Sequence, residues 1–369
     1  MMGQCKMDTK VSIITPCLNS EETIRDTIES VLGQSYQNIE YIIVDGRSTD
    51  RTIEIVKEYA SGFEGRLRYI SEKDSGIYDA MNKGILQASG SVIGIINSDD
   101  WYEPEAVEQA VQCFQDTGAD VVYGEIWMID EKGRREYHTW HSPFPLHPST
   151  FIRREVYQKY GMFDIGYQIA ADRDLLLRLM SERVRFAYVD RILADFRITG
   201  VSHTRSLLCA KEAYEINLKY LEKCPGDYLN KADIEESYDR VKLLYVSQRR
   251  PQIIREVLGR YAKVSDGVIL FGVGNCGAEL QTILRNCDIP VLFFVDNEEK
   301  KWGLERQGVK ICSPAVLRHC SGHVIVTISK HEKAISSQIQ AYANPLLTLS
   351  VLREIRQGVI DDCGDLFSK

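Results

Sequence analysis

Four short apolar runs alternate with helix-favouring stretches in the first hundred residues, and this alternation limits the architecture more than any other feature. Val11-Ser-Ile-Ile-Thr15, Ile39 to Asp45, Leu67 to Ser71 and Val92 to Ile96 read as strands. Between them, Glu21 to Leu32 places Ile24, Ile28, Val31 and Leu32 on one helical face. Ile53 and Val56 mark a second helix that Ser48 or Thr49 is placed to cap, and Ile77 to Gln87 marks a third. Such alternation predicts an α/β fold, a largely parallel sheet with helices on both faces. Sheets of this kind bind ligands beyond the carboxyl ends of their strands, so the polar residues there are the candidates.

After Tyr123 the pattern changes. Asp130-Glu-Lys-Gly133 reads as a turn between strands, Trp140 to Pro148 as an irregular loop, Ala170 to Ser181 as a helix and Phe186 to Asp190 as a strand. A second α/β unit opens at Val268. Val268-Ile-Leu-Phe271 and Val291 to Val295 read as strands, with a glycine turn and the helix Ala278 to Leu284 between them, and His323 to Ile328 as another strand. A chain of 369 residues exceeds one ordinary core. The expected division is a catalytic domain over 8–204, a helical connector over 205–263 and a small Rossmann-like domain over 264–369.

Net charge is −8, which argues against nucleic acid as the main partner, because phosphate binding needs clustered Lys and Arg. No apolar run approaches the roughly 18 residues that span a bilayer, and Met1 to Lys10 lacks the apolar core of a signal peptide. The ten cysteines form no Cys-x-x-Cys pair. Reduced structural thiols in a cytoplasmic protein are expected, and zinc is not.

Acids fall at successive strand ends: Asp45, the pair Asp99-Asp100, and later Asp172-Arg-Asp174. Taken singly, each is most simply a helix cap or a solvated loop residue. Beside an anionic diphosphate, carboxylates make chemical sense only with a divalent cation between them, and oxygen ligands suit Mg²⁺ or Mn²⁺. The ordered series Val11-Ser-Ile-Ile-Thr-Pro-Cys-Leu-Asn19, Ile42-Ile-Val-Asp-Gly-Arg-Ser-Thr-Asp50, Ser71-Glu-Lys-Asp-Ser-Gly-Ile-Tyr-Asp-Ala-Met-Asn-Lys-Gly84 and Ile95-Ile-Asn-Ser-Asp-Asp100 resembles the signature of family 2 glycosyltransferases. It is most similar to the subgroup that builds bacterial capsule, exopolysaccharide and O-antigen chains. The resemblance covers about residues 10 to 200. It implies the GT-A fold (a mixed sheet flanked by helices), an inverting mechanism, a nucleotide-sugar donor with uracil as its typical base, and a glycan or lipid-linked acceptor. A lipid-linked acceptor is compatible with peripheral contact at the inner face of the membrane.

Carried over residue by residue, Thr15, Pro16 and Asn19 match the loop bordering the nucleotide, and Asp45 the acid that meets the base. Lys73 and Asp74 lie in the matching donor-side segment. Asp99 and Asp100 occupy the DxD-like position for metal and donor, with His203, in Gly200-Val-Ser-His203, on the same metal and diphosphate side. Asn97 stands where many relatives have Asp; it keeps an oxygen acceptor and loses the charge. Asp172 matches the general base, which removes the proton of the acceptor hydroxyl as that oxygen attacks the anomeric carbon. Ala171 precedes it where relatives often have Glu, and the plain alternative for Asp172 is a helix N-cap. His147, in His147-Pro-Ser-Thr150, matches the segment on the acceptor side. Trp101 and Tyr102 are placed either to stack on a sugar or to fill the core.

The turn Gly272-Val-Gly274-Asn-Cys-Gly277 follows a strand and opens a helix, with Asp296 at the end of the next strand. This is the arrangement of a dinucleotide fingerprint. The plain alternative is a tight strand–helix turn. The unit is similar to small nucleotide-binding modules of sugar-modifying enzymes, and Gly272, Gly274, Gly277 and Asp296 are its candidate ligand residues. Two further functions stay open at this level: an NAD(P)-dependent sugar-nucleotide oxidoreductase or epimerase acting through this motif, and a non-catalytic nucleotide-sugar-binding protein.

Overall fold

A computed structural model of the chain describes residues 9–139, 144–200, 204–224, 229–261, 267–320, 323–327, 332–341, 346–347 and 349–363. The chain divides into two compact units, Met1–Ile234 and Glu235–Lys369.

In the first unit β1 (Val11–Cys17) pairs in parallel with β2 (Ile39–Asp45) on one side and β4 (Val92–Ile95) on the other, and β3 (Leu67–Ser71) extends β2. The crossovers are helices α1 (Ile24–Leu32), α2 (Thr52–Tyr59) and α3 (Ile77–Gln87), and α4 (Ala106–Thr117) and α5 (Arg154–Tyr160) follow. Every residue of β1 and β2 is buried. Strands covered on both faces need near-continuous apolar runs, which is why these two read so clearly in the sequence. Beyond β4 the sheet becomes mixed. β8 (Thr150–Arg153) runs antiparallel to both β4 and β6 (Val121–Ile129). β9 (Phe186–Arg197) is parallel to β6, and β5 (Trp101–Tyr102) lies antiparallel along β9. The order is β3-β2-β1-β4-β8-β6-β9-β5, with β7 (Arg135–His138) on β6.

Gly84 sets the distance of α3 from the sheet: a Cβ there would fall 2.4 Å from Ile14 Cγ2. Ser48 and Thr49 do not cap α2, whose N-cap position is Arg51 with no capping side chain. Asp50 does that work from one residue earlier, its Oδ1 accepting from the Thr52 N–H at 3.0 Å and from the Thr52 hydroxyl at 2.6 Å.

Within 205–263 the described residues are mostly helical, and they divide between the units. The helix Ser206–Tyr220 packs Ile216 and Tyr220 against Ala170, Leu177 and Met180, the last two on α6 (Ala171–Ser181), and belongs to the first unit. Val246, from the helix Lys231–Arg249, joins Ile254, Val257 and Leu258 in the core of the second unit. A polar helix that buries only two or three residues carries no periodicity to announce this, so the sequence reads it as a connector.

The second unit is a sheet ordered β12-β13-β11-β10-β14-β15. β10 (Val268–Phe271), β11 (Val291–Val295), β13 (Val309–Cys312), β14 (His323–Val326) and β15 (Leu346–Leu347) run parallel, and β12 (Glu305–Arg306) is antiparallel to β13. The helix after β10 starts at Asn275, inside the glycine motif and earlier than the expected Ala278. Among the described residues no helix is long and apolar enough to cross a membrane.

Candidate active site

The carboxyl ends of β1, β2, β3 and β4 meet along one edge, because Cys17 pairs with Asp45 and Asp45 with Ser71 in register. Side chains tie the loops there into a continuous rim. The Ser20 and Ser98 hydroxyls lie 2.8 Å apart, joining the β1 loop to the β4 loop. Asn19 adopts φ 51°, accepts from the Thr49 N–H at 2.8 Å and donates its own N–H to Ser48 Oγ at 2.8 Å, joining the β1 and β2 loops. Asn tolerates this left-handed conformation better than most residues. Asp74 lies against Gly46, where a Cβ would fall 2.4 Å from Asp74 Oδ2. Asp74 Oδ1 also accepts from the Gly76 N–H at 3.0 Å, which fixes the entry to α3.

Asp45 has no exposed surface. Its carboxylate accepts from the Ser48 N–H at 3.1 Å, from the Ser48 hydroxyl, and from the Ser71 hydroxyl at 2.6 Å. It therefore forms the floor of the β2–β3 edge, held in place by the two serines. Thr15 and Pro16, expected in a loop, lie inside β1 and are buried; the Thr15 hydroxyl oxygen accepts from Tyr41 at 3.0 Å. The segment at the rim is Leu18 to Ser20. Lys73 is exposed, and its carbonyl accepts from Lys83 Nζ at 2.8 Å.

The acidic pair separates into two environments. Asp100 is fully buried, with Oδ1 accepting from the Arg197 N–H at 2.9 Å and Oδ2 from the Asn97 amide at 3.4 Å. Burial, and then the charge of Asp99, push its carboxyl well above the usual range. Asp99 is only partly buried; its Oδ2 would stand 3.0 Å from a Cβ on Gly200, so it faces the loop after β9. Burial raises it too. Arg197 closes this corner: its guanidinium donates to the Asp99 carbonyl at 3.0 Å and stacks over the Trp101 ring at 4.7 Å. Trp101 and Tyr102 are thus largely structural, and Tyr102 is buried against Phe151. The Asn97 Oδ1 is buried without a hydrogen-bond partner among the described residues. His203 lies outside the described residues.

Asp172 sits in the first turn of α6, where it makes no capping hydrogen bond; the N-cap position is Ala170. The helix-cap alternative is thereby removed. Tyr78, in the first turn of α3, donates to the Ile169 carbonyl, and its hydroxyl lies 3.1 Å from Asp172 Oδ1. His147 presents its ring edge to Phe163 at 5.9 Å, and its Nε2 is shielded from solvent with no partner among the described residues. Burial lowers the His147 pKa, against the raising effect of the nearby Asp172 charge. The structure thus brings Asp172, Tyr78 and His147 together, and the contacts Asp74–Gly76–Tyr78 link them to the rim.

Two participants carried no sequence signal of their own role. Tyr78 stands inside a quoted motif without an assigned function. Glu212 lies 42 residues beyond Ala170, and its carboxylate accepts from three backbone N–H groups, those of Gln168 at 2.8 Å, Ile169 at 2.9 Å and Ala170 at 3.0 Å.

In the second unit Gly272 has φ 112°, and a Cβ on Gly277 would lie 2.2 Å from the Gly272 carbonyl oxygen. Both glycines are required by a close turn–helix packing. Nothing lies within 4 Å of a Cβ at Gly274. Asp296 is nearly buried; it accepts from the Glu298 N–H at 3.0 Å and pairs with Lys301 at 3.4 Å. Its Oδ2 also accepts from the Val273 N–H at 3.4 Å, which ties the end of β11 to the glycine turn.

Mixed-sheet topology with an acidic pair after the fourth strand is the arrangement of the GT-A glycosyltransferase fold. The description "Glycosyl transferase family 2" matches residues 12–179, and "C2185-like, N-terminal" matches residues 264–344. The chain is 32% identical over 213 residues to an uncharacterized glycosyltransferase of Mycobacterium tuberculosis, Rv1514c, covering 53% of this chain and 78% of that protein. It is 34% identical over 125 residues to the glycosyltransferase GlyA of Streptococcus pneumoniae, covering 34% of this chain and only 18% of that longer protein. A mannosyltransferase from Pyrobaculum calidifontis, solved with GDP-Man and Mn²⁺, superimposes with a TM-score of 0.51 at 16% identity, over 68% of this chain and 79% of that one. The chain belongs to the family 2 glycosyltransferases.

Proposed function

We propose that this glycosyltransferase inverts the anomeric centre, moving a sugar from a UDP-sugar to a glycan or lipid-linked acceptor in surface-polysaccharide synthesis, with Asp172 as the general base. The observation that carries this reading is the placement of Asp172: partly exposed in the first turn of α6, held by Tyr78 and free of any capping duty. An inverting transfer asks for one carboxylate that is oriented yet open to the acceptor hydroxyl. Tyr78 orients Asp172, and His147 borders the same point. As the acceptor oxygen attacks, its proton passes to Asp172 Oδ, and the sugar–phosphate bond breaks with its electron pair leaving on the nucleoside diphosphate.

The donor lies, on this reading, along the rim from Asn19 and Asp74 to Asp99, over a floor organised by Asp45. The chemistry of the donor set fits a hard cation: Asp99, with the unpartnered Asn97 oxygen beside it, offers oxygen ligands only. Among the described residues no group of three His, Cys, Asp or Glu side chains stands close enough to hold a metal alone. The residues fit a Mg²⁺ or Mn²⁺ shared with the donor's phosphates, with Asp99 as the open protein carboxylate and Asp100 as the buried brace behind it. When bound, such a cation offsets the charge building on the departing diphosphate. The second unit is read as an accessory Rossmann-like domain.

The test is UDP-sugar hydrolysis and transfer by Asp172→Asn in Mn²⁺. The variant is expected to stay folded, to bind UDP as the parent does, and to lose about 10²–10⁴ in turnover. Near-normal turnover would remove Asp172 as the base.

A further inference from the structure

The entry to α6 lacks what a helix start ordinarily supplies. Ala170 and Ala171 stand where Ser, Thr, Asp or Asn would cap, and no side chain from the segment itself takes up the free N–H groups. The N–H groups that converge on Glu212 are those of the backbone leading into the helix, up to its N-cap residue. The two carboxylate oxygens of Glu212 receive the N–H of Gln168, Ile169 and Ala170 at 2.8 to 3.0 Å, and Glu212 is 6% exposed. A concavity of successive backbone N–H groups at a helix start is an anion site, and charge-assisted hydrogen bonds to it are strong. Here the anion belongs to the chain itself.

The peptide at Ile169 is gripped from both sides. Glu212 holds its N–H, and Tyr78 donates to its carbonyl while touching Asp172. We infer that Glu212 is a positioning residue for glycosyl transfer: it anchors the backbone that leads into α6 and, through the Ile169 backbone shared with Tyr78, fixes Asp172 for proton removal. This rests on the reading of Asp172 as the base. The helix Ser206–Tyr220 is accordingly a wall of the active site. Arg173 supports the same placement, its Nε donating to Asn217 Oδ1 at 2.6 Å on that helix. The titratable and charged groups facing Asp172 are Tyr78 from α3, His147 from the segment before β8, Arg173 beside it, and Cys209 from the helix Ser206–Tyr220, which Glu212 neighbours in turn.

Glu212→Gln keeps the shape and one acceptor but removes the charge and turns an amide N–H₂ toward backbone N–H donors. The experiment compares the full chain with Glu212→Gln, Glu212→Asp and Asp172→Asn in hydrolysis of UDP-glucose, UDP-galactose and UDP-N-acetylglucosamine with Mn²⁺. Melting temperature and amide exchange at residues 168–170 are followed in parallel. Glu212→Gln is expected to lower kcat about tenfold or more with donor KM within about twofold. Amides 168–170 should exchange faster while those of α3 keep their protection. Glu212→Asp, which keeps the charge, should recover part of kcat and stands in if the Gln variant does not fold. A kcat within twofold of the parent in the Gln variant, alongside an inactive Asp172→Asn, overturns the inference and leaves the base intact. Equal kcat values for the Gln and Asp variants overturn it too, because the charge would then be irrelevant. An active Asp172→Asn overturns the reading of the base itself, whatever Glu212 does.

Discussion

Replacing Gly84 by Ala is expected to destabilise the first unit and to slow catalysis, although the same change stabilises most helices. Gly84 lies in the interior of α3, where Ala is favoured by up to about 1 kcal/mol. Its new Cβ, however, would sit 2.4 Å from Ile14 Cγ2 and 3.3 Å from both Ile14 Cγ1 and Cδ1. Ile14 is 0% exposed in the central strand β1, between β2 and β4, so it cannot swing aside. Inserting a methyl group into such packing costs about 1–3 kcal/mol. Set against the helix gain, the net is a loss of up to about 2 kcal/mol, or a fall of up to about 8 °C in melting temperature for a unit of this size. The relief available is movement of α3 away from the sheet, and α3 carries Tyr78 in its first turn. Turnover should therefore fall several-fold while donor KM changes little. Calorimetry of the full chain measures the first effect and steady-state kinetics the second. A double-mutant cycle with Ile14→Ala locates the cause: without the Ile14 branch the helix gain reappears, giving a coupling of about 1–3 kcal/mol. A rise in melting temperature for Gly84→Ala alone, or additive effects in the cycle, would refute the reasoning.

Asp100→Asn should raise the melting temperature at pH 7 in the presence of a chelator, because a buried carboxyl with a raised pKa opposes folding wherever the unfolded chain ionises it. The gain should shrink as pH falls below the ordinary carboxylate range, where Asp100 is protonated in both states; an unchanged gain at pH 3 would count against this. Chelation should abolish turnover and Mn²⁺ restore it, and Asp99→Asn should need more Mn²⁺ for half-maximal rate than the parent. Gly46→Ala, pressed against Asp74, should raise donor KM with a melting temperature within a few degrees of the parent. Gly277→Ala should lower the melting of the second unit, because the clash is with backbone at 2.2 Å, and UDP-sugar hydrolysis at 25 °C should persist.

What the sequence made legible follows burial. β2 was read over Ile39 to Asp45 and α3 over Ile77 to Gln87, the bounds found in the structure. Both have a periodicity that burial imposes, two-sided for the strand and one-faced for the helix. The acids at the rim were legible because an ordered series of motifs is a strong signal. Their division of labour was not: Asp99 and Asp100 are adjacent and chemically identical, and the Asn97 amide together with the distant Arg197 N–H holds the one that is sealed in. Asp45 was found in place, but the two serines that occupy it come from the next loop and the next strand. Tyr78 and Glu212 act across separations of 94 and 42 to 44 residues, and no local pattern marks a contact of that kind.

The distance in sequence between Glu212 and the backbone it anchors has a consequence for biosynthesis. A ribosome adds about 5–20 residues per second, so the roughly 42 residues between Ala170 and Glu212 take about 2–8 s to follow. During that interval strands β1 to β8, both acids after β4 and Asp172 are already made, while β9, the Arg197 N–H that holds Asp100 and the carboxylate that anchors the approach to α6 are still being synthesised. The nascent chain therefore acquires its donor side before its proton-accepting side is set, and a chain ended at residue 204 would permanently lack that carboxylate.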